Sequence, residues 1–252
     1  LDDSVKTELN YEKGNAFDRK RSEKSYKEGL AGLPFTLTKG QQEVLKEIFD
    51  DFSKPHPMNR LLQADVGAGK TVVALLAAKA AMDQGYQVAL MAPTEILAEQ
   101  HVRNALKYFG AQFPIGVLLG KTTAAERKKL LPRLEAGEPI LMIGTHALIE
   151  DPVKFAKLGL VVIDEQHRFG VDQRRRLRQK ASVAPHTLVM TATPIPRTLA
   201  LTAYGDLSTS IISERPPGRT PIKTHLVRSA DRSKVETFIR KEIQKGRQAY
   251  VI

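Results

Sequence analysis

The eight residues Ala64-Asp65-Val66-Gly67-Ala68-Gly69-Lys70-Thr71 carry the clearest chemical signal in the chain. Gly67 and Gly69 let the backbone turn tightly enough to aim several N–H groups at one point. The N-terminus of the apolar helix expected next in the chain adds positive potential at the same place. Lys70 supplies a compact charge and Thr71 a hydroxyl. This set suits a nucleoside triphosphate, with the backbone from Asp65 to Gly69 and the Lys70 amine on the phosphates and Thr71 on the accompanying Mg²⁺. ATP and Mg²⁺ are the expected cofactors. The strict pattern G-x-x-x-x-G-K-[ST] has glycine where this chain has Ala64. A glycine-rich turn ahead of a buried helix would also explain the loop.

A second group of oxygen donors closes an apolar run, Leu160-Val161-Val162-Ile163-Asp164-Glu165-Gln166-His167. A strand buried to its last residue delivers Asp164 to the carboxyl edge of a sheet, where ligands bind in open α/β folds. There Asp164 is placed to hold Mg²⁺ through its water shell, and Glu165 to orient and deprotonate an attacking water. Lys70, Asp164 and Glu165 are the expected catalytic set, with Thr71 and Asp164 at the metal. The same residues also read as a polar strand-to-helix junction, with Asp164 merely a cap. His167 is read as a group that couples the site to its surroundings. No cysteine or spaced histidine pair supports a metal beyond Mg²⁺.

The elements that must position these groups alternate along the chain. Short β-branched or apolar runs at 60–64, 87–92, 115–119, 140–144, 160–164 and 187–191 read as strands. Helical patterns lie at 71–84, 95–109, 124–135 and 196–204, the third expected to be kinked or shortened by Pro132. Runs such as Val88-Ala89-Leu90-Met91 are apolar at every position, as in strands covered on both faces. The expected fold is therefore α/β, a parallel sheet with helices on both faces. Residues 1–32 are polar with charges of both signs, and read as a linker or trimmed helix outside the core. The main domain is expected over 33–214. Residues 215–221 hold three prolines and a glycine, a linker signal. Beyond them a strand (222–227), a helix (233–245) and a strand (248–252) read as the start of a second, truncated α/β domain over 222–252.

Composition narrows the class. Lys and Arg number 39 against 28 Asp and Glu, a net charge of +11 that favours polyanionic partners such as nucleic acid. The clusters Arg127-Lys128-Lys129 and Arg174-Arg175-Arg176-Leu177-Arg178 fit that partner and fit a solvated helix face equally well. No apolar run approaches the ~20 residues of a membrane span, and the first residues lack the apolar stretch of a secretory signal. With no cysteine, disulfides and thiol catalysis are excluded, which fits a cytosolic protein.

Further segments, read together, resemble the superfamily 2 helicases and, within them, the RecG-type branch-migration helicases of bacteria. Leu37-Thr38-Lys39-Gly40-Gln41 is similar to the adenine-reading segment of these motors, with Gln41 in the base-contacting place. Alanine at the head of the phosphate loop is common in that superfamily. The segment Ala92-Pro93-Thr94-Glu95-Ile96-Leu97-Ala98-Glu99-Gln100-His101 and Gly144-Thr145-His146 resemble the two segments that touch the DNA backbone. This implies DNA contacts at Pro93, Thr94, Gly144, Thr145 and His146. Thr191-Ala192-Thr193-Pro194-Ile195-Pro196-Arg197-Thr198 resembles the segment that couples hydrolysis to strand movement, which implies coupling roles for Thr191, Thr193 and Arg197 beside His167. The acidic motif, Thr202-Ala203-Tyr204-Gly205-Asp206-Leu207 and Pro216-Pro217-Gly218-Arg219-Thr220-Pro221 favour the RecG type over the transcription-repair coupling factors. Pro93-Thr94-Glu95 also makes an ordinary helix start with Thr94 as N-cap.

The resemblance covers residues 33–252 and implies a RecA-like motor domain followed by the start of a second one. It implies ATP hydrolysis coupled to branch migration and remodelling of forks and Holliday junctions, by a monomeric motor in the bacterial cytoplasm with no membrane partner. Arginines of the second domain complete the site in such motors. Arg197 and Arg219 match no such position, so these 252 residues alone are expected to hydrolyse ATP slowly or not at all. Alternatives are a double-strand DNA translocase of the coupling-factor type, a small-molecule P-loop kinase and a nucleotide-dependent binding module without catalysis.

Overall fold

The computed structural model describes residues 14–164, 180–181, 183–192, 207–214, 224–228 and 231–250. The chain divides into two compact units, Leu1–Pro216 and Pro217–Ile252. In the first, seven strands form one parallel sheet in the order β3-β4-β2-β5-β6-β1-β7. They are β1 (Asn59–Ala64), β2 (Gln87–Met91), β3 (Ile115–Leu118), β4 (Leu141–Gly144), β5 (Leu158–Asp164), β6 (His186–Thr191) and β7 (Ser208–Ile212).

Successive strand residues point to opposite faces, and both faces are dry. Val88, Leu90, Leu141, Ile143, Leu160 and Val162 belong to one core cluster; Ala89, Met91, Met142, Val161 and Ile163 belong to another. The first cluster is covered by α1 (Arg19–Ala31), α2 (Lys39–Phe52), α3 (Lys70–Met82) and the alanines of α4 (Glu95–Phe109). The second is covered by α5 (Ala124–Glu135) and the 3₁₀ turn His146–Ile149 with the residues after it. This is why the strands read as unbroken apolar runs.

The helix starts are capped from the sequence. Thr38 and Gln41 form a reciprocal capping box on α2, as Thr123 and Glu126 do on α5, and Thr94 caps α4. The α5 helix runs through Pro132 to Glu135 without shortening. The ring removes one backbone donor, but the cap and the burial of Leu134 keep the last turn helical.

Residues 17–31 are part of the packed body. The α1 helix lies on α3 through Ser22, Ser25 and Gly29, where a Cβ on Gly29 would stand 2.6 Å from Leu76 Cδ2. Phe17 stacks on Tyr86 and meets Phe52 and His186 edge-on. The α2 helix and β7 complete the sheet's flank. Arg60 of β1 ties them together, donating to Asp51 at 2.6 and 2.9 Å, to Glu47 at 2.7 Å and to Ser210 Oγ at 2.6 Å.

In the second unit the helix Arg232–Gln244 forms and buries no residue. The strands expected on either side are not formed at 224–228 or 245–250. A strand is defined by backbone partners, and none pairs with these residues among those described. The helix expected at 196–204 lies outside the described residues.

His186 reports on the junction between the N-terminal segment and the sheet. Its Nε2–H donates to the Asn15 carbonyl at 2.5 Å, and its Nδ1 accepts from the Met58 N–H at 2.9 Å. Burial pushes its pKa from 6.5 down to about 4, against the raising effect of the Asn15 bond. Between those values the unfolded chain binds more protons than the folded one, so stability falls as pH drops from about 6.5 towards 4. The full effect is roughly 3 kcal/mol. Urea unfolding at pH 7.5 and 4.5 checks this, and His186→Gln is expected to remove this part of the pH dependence.

Candidate active site

The phosphate loop follows directly from β1. Ala64 is buried, and the Ala68 N–H donates to the Asp65 carbonyl at 3.1 Å, closing the turn. Gly67 and Gly69 have φ of 81° and 82°, a left-handed backbone that side chains disfavour, so the glycines are required by the turn. The α3 helix begins at Lys70, which sets the N-terminal end of the helix, with its positive potential, at the loop. Lys70 Nζ donates to the carbonyls of Ala64 at 2.7 Å and Asp65 at 3.2 Å, so the amine sits within the loop it is expected to serve. Val66 is exposed at the loop's tip, and Thr71 is half-buried in the first turn of α3.

Gln41 packs beneath this loop. It is buried, its Oε1 accepts from the Thr38 N–H at 3.0 Å, and its Nε2 donates to the Ala68 carbonyl at 2.9 Å. Both ends of the amide are thus engaged within the protein, and Gln41 joins the segment 37–41 to the phosphate loop.

Asp164 ends β5. It lies opposite Met190 of β6, which lies opposite Leu62 of β1. The carboxylate is therefore two strands, or roughly 10 Å, from the strand that launches the phosphate loop, at the same edge of the sheet. Thr191, the last residue of β6, is buried between them. One carboxylate and one hydroxyl are hard oxygen donors that fit a magnesium ion retaining most of its waters and bound mainly through phosphates.

The segments expected at DNA leave the same edge. The Ala92 N–H donates to the Gly144 carbonyl at 2.8 Å, which joins the end of β2 to the end of β4. Pro93 and Thr94 are half-buried, and the Thr94 hydroxyl accepts from the Leu97 N–H at 3.3 Å as the N-cap of α4. Its O–H remains able to donate. His146 is exposed, whereas the Thr145 hydroxyl is buried without a hydrogen-bond partner among the described residues. Glu165, His167, Thr193 and Arg197 lie outside the described residues.

Two further side chains act at this edge in ways that the motifs do not assign. His101 Nε2 contacts Asp164 Oδ2 at 2.7 Å. Glu214 accepts from the Gly40 N–H at 2.9 Å, and its bonds to the Thr38 hydroxyl and to that N–H hold its carboxyl below the usual range. Helical spacing of His101 with Ala98 and Ala105 marks it as inward-facing. No sequence signal points to Glu214.

Comparison with known proteins agrees with this geometry. The DEAD/DEAH box helicase family matches residues 38–202, from the cap of α2 past β6. The chain belongs to the DEAD/DEAH box helicase family. It is 54% identical over 221 residues to the ATP-dependent DNA helicase RecG of Synechocystis sp., covering 87% of this chain and 26% of that one. It is 54% identical over 220 residues to that of Streptococcus pneumoniae, covering 87% and 32%. A structure of RecG bound to a three-way DNA junction superimposes with a TM-score of 0.79 at 43% identity, covering 94% of this chain and 31% of that one. The RecG likeness read from the motifs is thus borne out. So is the RecA-like P-loop fold, which this DEAD/DEAH box domain shares with the Hef helicase domain of Pyrococcus furiosus at a TM-score of 0.56 and 21% identity. The chain spans about a quarter to a third of the length of the curated relatives it matches.

Gly69 offers a sharp test of the loop. A Cβ there would stand 2.2 Å from Gln41 Nε2 on a left-handed backbone, whereas Gly85, also left-handed at φ 89°, has nothing within 4 Å. Gly69→Ala is expected to weaken binding of a fluorescent ATP analogue by at least about tenfold. Gly85→Ala is expected to cost about 1 kcal/mol of stability and leave binding unchanged.

Proposed function

We propose that this chain is the nucleotide-binding part of an ATP-dependent DNA helicase that couples Mg-ATP hydrolysis to branch migration and remodelling of forked or junction DNA. The observation that carries this reading is the shared sheet edge. The phosphate loop, Asp164, Thr191 and the segments 92–94 and 144–146 all leave the carboxyl ends of adjacent strands. The named relatives, RecG helicases from several bacteria, support the choice of DNA and of branched structures.

In this reading the N–H groups of 65–70 and the Lys70 amine bind the triphosphate. Thr71 and Asp164 hold Mg²⁺, which supplies charge neutralisation between the phosphates when bound. Glu165 orients the attacking water, and Thr191, Thr193, Arg197 and His167 transmit the state of the site. Gln41 meets the adenine with the amide donor and acceptor capacity that its bonds to Thr38 and Ala68 leave over. Thr94, at the positive end of α4, and the backbone at Pro93 and 144–146 take DNA phosphates. Contacts of this kind are weakly sequence-dependent and fall steeply with salt. Such a motor works as a monomer in the bacterial cytoplasm, and no helix among the described residues is long and apolar enough to cross a membrane.

The reading is tested by ATP binding and hydrolysis with and without a forked duplex, using Lys70→Ala as the blank. Mg-ATP binding that Lys70→Ala weakens by at least about tenfold is expected of the 252 residues, with slow turnover. Arginines of a second motor domain, brought to the γ-phosphate, are expected to raise turnover by about 10³ or more. Mg-ATP binding equally tight in the wild type and Lys70→Ala would sink the reading. DNA movement without a displaced strand would replace it by a double-strand translocase.

A further inference from the structure

His101 sits in the middle of α4, on the helix face that packs against the sheet. Its neighbours on that face are Ala98 and Ala105, both fully buried, so the helix lies close to the strands and His101 is its one buried polar side chain. The imidazole is 4% exposed. Its Nε2 is 2.7 Å from Asp164 Oδ2, and since a carboxylate only accepts, Nε2 must carry the proton. Its Nδ1 is buried with no partner among the described residues. Packing alone would be better served by an apolar side chain of similar shape, which would leave no buried acceptor unmet.

We infer that His101 is a positioning residue for the metal carboxylate. It fixes Oδ2 of Asp164, which leaves Oδ1 to the metal's water shell, and it ties that carboxylate to α4. This rests on the reading of Asp164 as the magnesium carboxylate. A carboxylate held at one oxygen loses the freedom to rotate about its last bond, so it meets a hydrated cation without first being ordered. The tie also has a second end. His101 lies seven residues, or roughly 10 Å, along the helix from Thr94. A phosphate seated at the start of α4 shifts a rigid rod whose inner face grips Asp164. DNA backbone contact and metal affinity are thereby linked through one helix, and by reciprocity each changes the other by the same factor.

The test is binding of a fluorescent ATP analogue to the full chain as Mg²⁺ is titrated, for the wild type, His101→Leu, His101→Gln and Asp164→Asn. His101→Leu is expected to raise the Mg²⁺ concentration for half-maximal binding by about 10- to 100-fold, the range for partners that orient metal ligands. Its metal-free affinity, read in EDTA, should change less than about twofold on the same principle. His101→Gln, whose amide N–H can still reach the carboxylate, is expected to recover most of the Mg²⁺ response. Should His101→Leu not fold, His101→Asn, polar but too short to reach, takes its place with the same expectation. An unchanged Mg²⁺ requirement in His101→Leu, or equal losses in the Leu and Gln variants, overturns the inference. If Asp164→Asn itself leaves the Mg²⁺ requirement unchanged, the metal assignment falls and the inference with it.

Discussion

A parallel sheet buried on both faces can offer chemistry only where its strands end. Every interior backbone group is spent on a neighbouring strand, and every interior side chain is packed under a helix. In this chain that constraint gathers the carboxyl ends of β1, β2, β4, β5 and β6 at one edge. The phosphate loop, Asp164, Thr191 and the segments 92–94 and 144–146 are neighbours because their strands are neighbours. No long-range loop has to bring them together. The order of strands thus does work that the side chains then specialise.

The edge is stiffened by a few polar contacts between elements. Gln41 braces the phosphate loop against the start of α2, and Glu214 holds the same helix start from the far end of the unit. His101 braces Asp164 against α4. Each of these contacts joins two separate loops or helices. A displacement at one therefore reaches the next without large rearrangement, which suits the proposed coupling of nucleotide state to DNA contact. The Arg60 network and His186 do comparable service away from the site, where they lock α2, β7 and the N-terminal segment to the sheet.

Much of this was legible in the sequence because it is written in local pattern. Short β-branched or apolar runs marked the six strands β1 to β6, and Gly67, Gly69 and Lys70 marked the loop. The α1 helix was not legible as packed structure, since it meets α3 through Ser22, Ser25 and Gly29, small residues that carry no hydrophobic signature. The strand β7 escaped because its pattern is half exposed, with only Ser210 and Ile212 buried. The reach of His101 to Asp164, 63 residues apart, depends on the placement of α4 on the sheet and has no local signal. Pro132 did not shorten α5, because its local rule was overridden by the packing around it.

The central claim is that one magnesium nucleotide is held between Thr71 and Asp164 at this sheet edge. A crystal structure of the chain with a non-hydrolysable ATP analogue and Mn²⁺ in place of Mg²⁺ tests it most directly, because manganese is located by its anomalous scattering. The account predicts a single strong anomalous peak beside the Thr71 hydroxyl, joined to Asp164 through ordered water, with the phosphates along 65–70. Manganese and phosphates bound away from that loop, or a nucleotide in the loop with its metal remote from Asp164, would contradict it.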